Sequence, residues 1–217
     1  MPDWSRVLES LPKIPPPQLA TRVEPWTPYL LGGLALVLVL LIVTENWRWS
    51  LFLWGSVGPL TAALMVGTLP LPWVITRMLA PALNGALLWL GLRRWPPRIS
   101  SRWGWGPRWA FIPVAAMLFF QLRLYKSHLW LDPVRGDAVL LLLLGSLFLL
   151  ALHGTTLHST LALLLLIQGS VMLLAPLPMP QTWIYPLTLL DMGAGLVGSM
   201  LLASEGLFVR GQRRSAR

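Results

Sequence analysis

The chain has 217 residues, of which 55% are hydrophobic and only 12% charged. A globular domain carries about a quarter charged residues, so this one has too few to coat a water-exposed surface, and its mean hydropathy of +0.65 agrees. An integral membrane protein is the expected class, and the absence of cysteine excludes disulfides, thiolate nucleophiles and cysteine-ligated zinc or iron–sulfur centres.

The net charge of +9 comes from 17 basic and 8 acidic residues. Most of the basic residues lie in gaps between apolar stretches, where membrane orientation accounts for them. No nucleic-acid partner is expected.

Residues 1–25 read as an extended amino-terminal arm, with four prolines between Pro12 and Pro17 and mixed charges. The arm is not expected to be a cleavable signal, because its start is not basic and no apolar core follows directly. A helix crossing the hydrocarbon core needs about 20 mostly apolar residues. On that measure spans are predicted at about Tyr29–Thr44, Trp49–Leu69, Trp73–Leu92 and Trp109–Leu124, then Asp137–Leu152, Leu157–Ala175 and Trp183–Phe208. The fourth is the weakest, because Gln121 and Arg123 cut it short. The expected fold is therefore an all-α polytopic transmembrane bundle of seven spans, or six if the fourth lies along the surface. Residues 26–128 would form the amino-terminal helices, 129–209 a three-helix module and 210–217 a basic tail.

Tryptophan placement supports this parsing: 12 of the 13 fall at or near a predicted span end. Indole prefers the headgroup level, where its ring is shielded and its N–H finds a polar partner. Basic residues set the orientation. Arg48, Arg93, Arg94, Arg98, Arg102, Arg108 and the four arginines of the tail fall on one side in a seven-span topology. Those ten face six on the other side, so the basic side and the carboxyl terminus are expected to be cytoplasmic. The expected location is a bacterial-type inner membrane or a photosynthetic membrane.

Ionisable groups within apolar spans are costly, and each is a functional hypothesis by default. Arg77 lies one turn inside the third span and is expected to snorkel to the nearer surface. Asn84 is expected to bond a neighbouring helix. Asp137 falls at the start of the fifth span, where a carboxylate favours a helix N-terminus, and Glu205 near the inner end of the seventh. Asp191 is different. It lies about two turns into the seventh span, with Ala194, Gly195 and Gly198 on the same face at i+3, i+4 and i+7. Small residues admit a close helix, so this face is expected to pack on protein and to bury the carboxylate, either as a group suited to reversible protonation or as a static hydrogen bond or ion pair across the interface. Gln168, in the middle of the sixth span, can hydrogen-bond but cannot titrate.

The histidines, His128, His153 and His158, stand at or near span ends, where solvation is expected rather than ligation of haem or chlorophyll. No directly bound cofactor or metal is expected, and lipid is. No phosphate-binding, nucleophile-elbow or zinc-protease motif occurs, and eight acidic residues are too dispersed for a hydrolytic site, so no catalytic residue is assigned.

The sixth span's IQGSVMLL and the seventh's LLDMGAGLVGSMLL resemble the small three-helix membrane subunit of respiratory complex I. They also resemble its longer relative, the membrane component E of hydrogenase-4-type complexes. The resemblance covers residues 137–208. It implies a subunit without an active site of its own, partnered by antiporter-like membrane subunits and contributing to proton or sodium movement. Asp191 matches the family's carboxylate early in the last helix, whereas Gln168 stands where the family has Glu. Proton-relay candidates are thus Asp191, Gln168 and Glu205. The alternative is a structural or assembly subunit of a photosynthetic or respiratory supercomplex, holding lipid or pigment.

Overall fold

A computed structural model of the chain describes residues 24–66, 71–93, 105–125, 133–175 and 184–215. The arm up to residue 23, His128, the arginine-rich connection 94–104 and the proline-rich turn 176–183 lie outside the described residues. Among the described residues a short 3-10 turn, Glu24–Trp26, leads into seven α-helices. They are α1 (Thr27–Val43), α2 (Trp47–Leu64), α3 (Leu71–Arg93), α4 (Trp105–Tyr125), α5 (Pro133–Leu152), α6 (Thr156–Leu174) and α7 (Ile184–Ser215).

Each predicted span has its helix. Among the described residues four segments are long and apolar enough to cross a membrane: Trp73–Arg93, Val134–Leu152, Thr156–Leu174 and Tyr185–Glu205. The chain is a membrane-type helical bundle. Several boundaries lie a turn or more from expectation, as at the start of α5, which is Pro133 rather than Asp137. Helix α4 begins at Trp105, a turn before the expected Trp109, and ends at Tyr125, beside the expected Leu124; Gln121 and Arg123 lie within it, and the Arg123 guanidinium finds the Asp137 carboxylate at 3.3 Å. The stretch from 210 is not a separate tail as far as Ser215, since α7 is continuous through it.

Local chemistry explains the shortest connections. Asn46 leaves the extended backbone between α1 and α2, and its side chain accepts the Arg48 N–H at 3.1 Å, capping α2. Thr155 does the same for α6, accepting from the His158 N–H at 3.4 Å. These caps turn the chain back on itself, so α1 and α2, and α5 and α6, are antiparallel neighbours.

Helices α1, α2, α3, α7, α6 and α5 pack in that order around a closed ring, and α4 leans on α1 and α5. The core is leucine-rich, with α6 contributing Leu157, Leu161, Leu164, Leu165 and Met172. Trp54 also belongs to it, fully buried in α2 rather than placed at an interface as its neighbours are.

Helices α3 and α7 run parallel, although three helices separate them in sequence. Trp73 meets Tyr185 with ring centroids 4.8 Å apart, Arg77 meets Thr188, Asn84 meets Asp191 and Gly91 meets Ser199. On α3 the contacts recur every seven residues, the spacing that keeps one seam facing a partner helix. The carboxyl-terminal ends of α3 and α7 therefore lie at one end of the bundle, together with the start of α4. This is the end rich in arginine, called the basic end below.

Candidate functional site

The α3–α7 seam carries a polar centre inside the bundle. Asp191 on α7 has no exposed surface. Its Oδ1 accepts from Asn84 Nδ2 at 3.1 Å, and its Oδ2 accepts from Gln168 Nε2 on α6 at 3.1 Å. Asn84 Nδ2 also reaches the Asp191 backbone carbonyl at 3.3 Å. Arg77 Nη1 stands 3.8 Å from Asp191 Oδ2, while Nη2 donates to Thr188 Oγ1 at 3.2 Å.

Arg77 does not snorkel. Only 1% of its surface is exposed, because a carboxylate on the parallel helix lies within reach and offers more than the headgroup region does. Sequence reasoning missed this pairing. The signal available was register: Arg77 and Asn84 are seven apart, as are Asp191 and Gly198, so each pair lies along one seam.

Every side-chain group facing the two Asp191 oxygens is a donor. An ionised carboxylate is acceptor-only, so the centre is arranged around that form, with Arg77 as counter-charge. The orientation of the Asn84 amide follows from the network, because reversing it would set Oδ1 against two oxygens of Asp191. At 3.8 Å the ion pair is longer than a charge-assisted hydrogen bond, which lies at about 2.7–2.9 Å. Arg77 Nε and Nη1 make no hydrogen bond. The amides thus hold the carboxylate closely, while the guanidinium stands off.

Glycine makes the approach possible. A Cβ at Gly195 would collide with the Asn84 side chain, and one at Gly198 with Thr160 of α6. At Gly91 it would come within 2.8 Å of the Ser199 carbonyl. Ala194, on the same face of α7, packs against the core. The small-residue face expected around Asp191 thus meets α3 and α6 of this same chain.

Glu205 belongs elsewhere. It accepts from Thr156 Oγ1 at 2.7 Å at the basic end, joining α7 to the start of α6. The structure brings Asp191 and Gln168 together and leaves Glu205 about 21 Å along α7 from Asp191, taking fourteen residues at about 1.5 Å each. Asp137 lies within the first turns of α5, buried and paired with Arg123.

The histidines described are buried, not solvated: His153 is 2% exposed and His158 fully enclosed. Their rings stack with centroids 3.9 Å apart and planes at 16°. The α5–α6 turn folds His153 inward, and Thr155 Oγ1 holds His158 Nδ1 at 2.6 Å. Arg108 of α4 closes this cluster. Its Nη1 pairs with Glu45 at 3.1 Å and donates to the Val43 carbonyl at 3.4 Å. Burial, then His158 and Arg108, push the His153 imidazole down to about 3 from 6.5, so it is neutral. Among the described residues no group of three or more metal-ligating side chains occurs.

No protein-family model, curated protein or solved structure matches the chain.

Proposed function

We propose that the chain is a non-catalytic membrane subunit of a multi-subunit ion-translocating complex, and that Asp191 is its proton-exchanging group. The observation that carries this reading is the loosely closed Asp191–Arg77 pair inside the bundle. A buried ion pair contributes little to stability, and apolar side chains of similar volume often serve as well or better. A carboxylate and guanidinium retained there fit a role in which charge changes. When Asp191 takes a proton, Arg77 loses its counter-charge and turns to Thr188. When the proton leaves, the pair closes again.

The resemblance of residues 137–208 to the small complex I subunit supplies the class of partner: antiporter-like membrane subunits coupled to proton or sodium movement. Gln168 occupies the position of that family's second carboxylate and donates to Asp191, so the relay here would run through one titrating group. The excess of arginine at one end of the bundle supports a cytoplasmic carboxyl terminus in a bacterial inner or photosynthetic membrane.

A second reading is favoured by one feature of the same centre. Both Asp191 oxygens are held by amides from two other helices, an arrangement that pins α3, α6 and α7 as an assembly or scaffold subunit requires. Proton or sodium uptake by vesicles containing the whole complex separates the two. With assembly verified, Asp191→Asn should keep the fold and lose transport. Wild-type uptake by the assembled variant would assign Asp191 to structure.

A further inference from the structure

Two features at the basic end lie next to each other and are used by neither reading of Asp191. The first is the free edge of Arg108. Its side chain is fully buried, and Nη1 is engaged by Glu45 and Val43. Nε and Nη2 make no hydrogen bond. These two nitrogens form the side-on fork of the guanidinium, the edge whose parallel N–H bonds fit two oxygens of a phosphate. A buried donor left unmade costs about 1–3 kcal/mol, and more for a charged group, so an edge with two such donors calls for an acceptor. Both ring nitrogens of His153, beside it, also make no hydrogen bond.

The second feature is an apolar groove of about 260 Å³ between α1, α4 and α5. Gly32, Ala35, Ala115 and Gly145 leave it room, and Phe111 and Phe148 line its end nearer Arg108. Its lining ends within one helical turn of the Arg108 site. Ile42 precedes the residue whose carbonyl Arg108 holds, and Phe111 lies one turn beyond Arg108 on the same face of α4. From Ile42 down to Leu31 the lining runs eleven steps along α1, about 16 Å at about 1.5 Å per step. One leaflet of a hydrocarbon core is about 15 Å deep. The groove thus has the length of one leaflet and begins about one helical turn from Arg108.

We propose that this is a binding site for an anionic phospholipid, with its phosphate on the Nε–Nη2 fork of Arg108 and one acyl chain in the α1–α4–α5 groove. Charge complementarity selects the anionic class, because Arg48, Arg93 and Arg108 all lie at this end. Glu45 occupies the opposite edge of the guanidinium and leaves the fork facing away from its carboxylate. The stacked imidazoles of His153 and His158 form the adjoining wall.

The test uses the full chain, purified with whatever assembly accompanies it, stripped of lipid in detergent and titrated with dioleoyl phosphatidylglycerol or dioleoyl phosphatidylcholine. Binding is counted by native mass spectrometry. Phosphatidylglycerol should bind at least roughly tenfold more tightly, the equivalent of one charge-assisted contact. Arg108→Gln should abolish that preference. Ala115→Leu, which fills the groove from α4 and leaves the fork intact, should weaken both lipids. Melting followed by tryptophan fluorescence verifies the fold of each variant, and Arg108→Lys, which keeps the charge without the fork, provides a milder change expected to lose most of the preference. Equal binding of the two lipids by the wild type, or a preference that survives Arg108→Gln, would overturn the proposal. So would inorganic phosphate displacing phosphatidylglycerol completely at equal concentration, since a free anion would then suffice without a tail.

Discussion

Replacing Gly195 by alanine adds a single methyl group at the tightest point of the polar centre. That methyl would collide with the Asn84 carboxamide, so either α3 and α7 move apart or the amide swings away from Asp191. Overpacking of this kind costs about 1–3 kcal/mol, and a hydrogen bond lost between membrane helices about 0.6 kcal/mol. Alanine returns about 1 kcal/mol of helix propensity. The net expectation is a loss of about 2 kcal/mol, or about 4–8 °C in melting temperature for a chain of this size. Tryptophan fluorescence during thermal unfolding in detergent reads it directly. Gly193→Ala is the control, two residues away on α7, where an added Cβ meets nothing within 4 Å; it should be neutral or slightly stabilising. In an Asn84→Ala background the obstacle is gone, and the Gly195→Ala penalty should largely disappear, a coupling that a double-mutant cycle isolates. If Gly195→Ala melts with Gly193→Ala, or costs the same without Asn84, the close approach of α3 and α7 at this point is wrong.

Thr155→Ala removes the cap of α6 and should cost about 1 kcal/mol in the same melting assay; no change would show that the turn does not depend on the hydroxyl. Stability should fall on acidification. The His153 imidazole is held down to about 3 against 6.5 when unfolded, so below 6.5 the unfolded chain binds the proton that the folded chain refuses. The His153 contribution should reach up to about 2 kcal/mol near pH 5, and His153→Phe should make the profile shallower between pH 7 and that point, with the buried His158 still present; an unchanged profile would refute the assignment. Asp191→Leu should be worse for assembly than Asp191→Asn, because it leaves the Arg77 guanidinium buried without a counter-charge; equal assembly of the two variants would contradict the pairing. Single cysteines at Ser101 and Ser215 should label from the same side of intact vesicles, and labelling from opposite sides would break the parallel arrangement of α3 and α7.

Composition and apolar run length made the helices legible, because a span must satisfy its backbone internally and be coated with hydrocarbon. Asp191 stood out for a related reason, as a carboxylate among small residues on one helix face. Arg77 was harder to read. Its distance from the span end allows snorkelling, and only the parallel packing of α3 on α7 shows that a better partner is present. The histidines misled in the same way. A position at a helix end suggests water, but the three-residue connection after Leu152 folds His153 back under Arg108, and nothing local in the sequence encodes that. Single-helix properties could be read directly, whereas contacts between helices far apart in sequence could not.

The parallel seam also imposes an order of events on biosynthesis. Asn84 and Asp191 are 107 positions apart, so at about 5–20 residues per second α3 waits roughly 5–20 s for α7 to emerge. During that interval Arg77 has no counter-ion, and the insertion scale charges about 2.5–3.5 kcal/mol for arginine at a helix centre. The nascent helix must then hold its guanidinium toward the headgroups, the posture its sequence suggests, until the last helix arrives to draw it inward. A ribosome that stalls before α7 therefore leaves in the bilayer a helix bearing an uncompensated cation, a mark by which a membrane protease can distinguish an unfinished chain from a finished one.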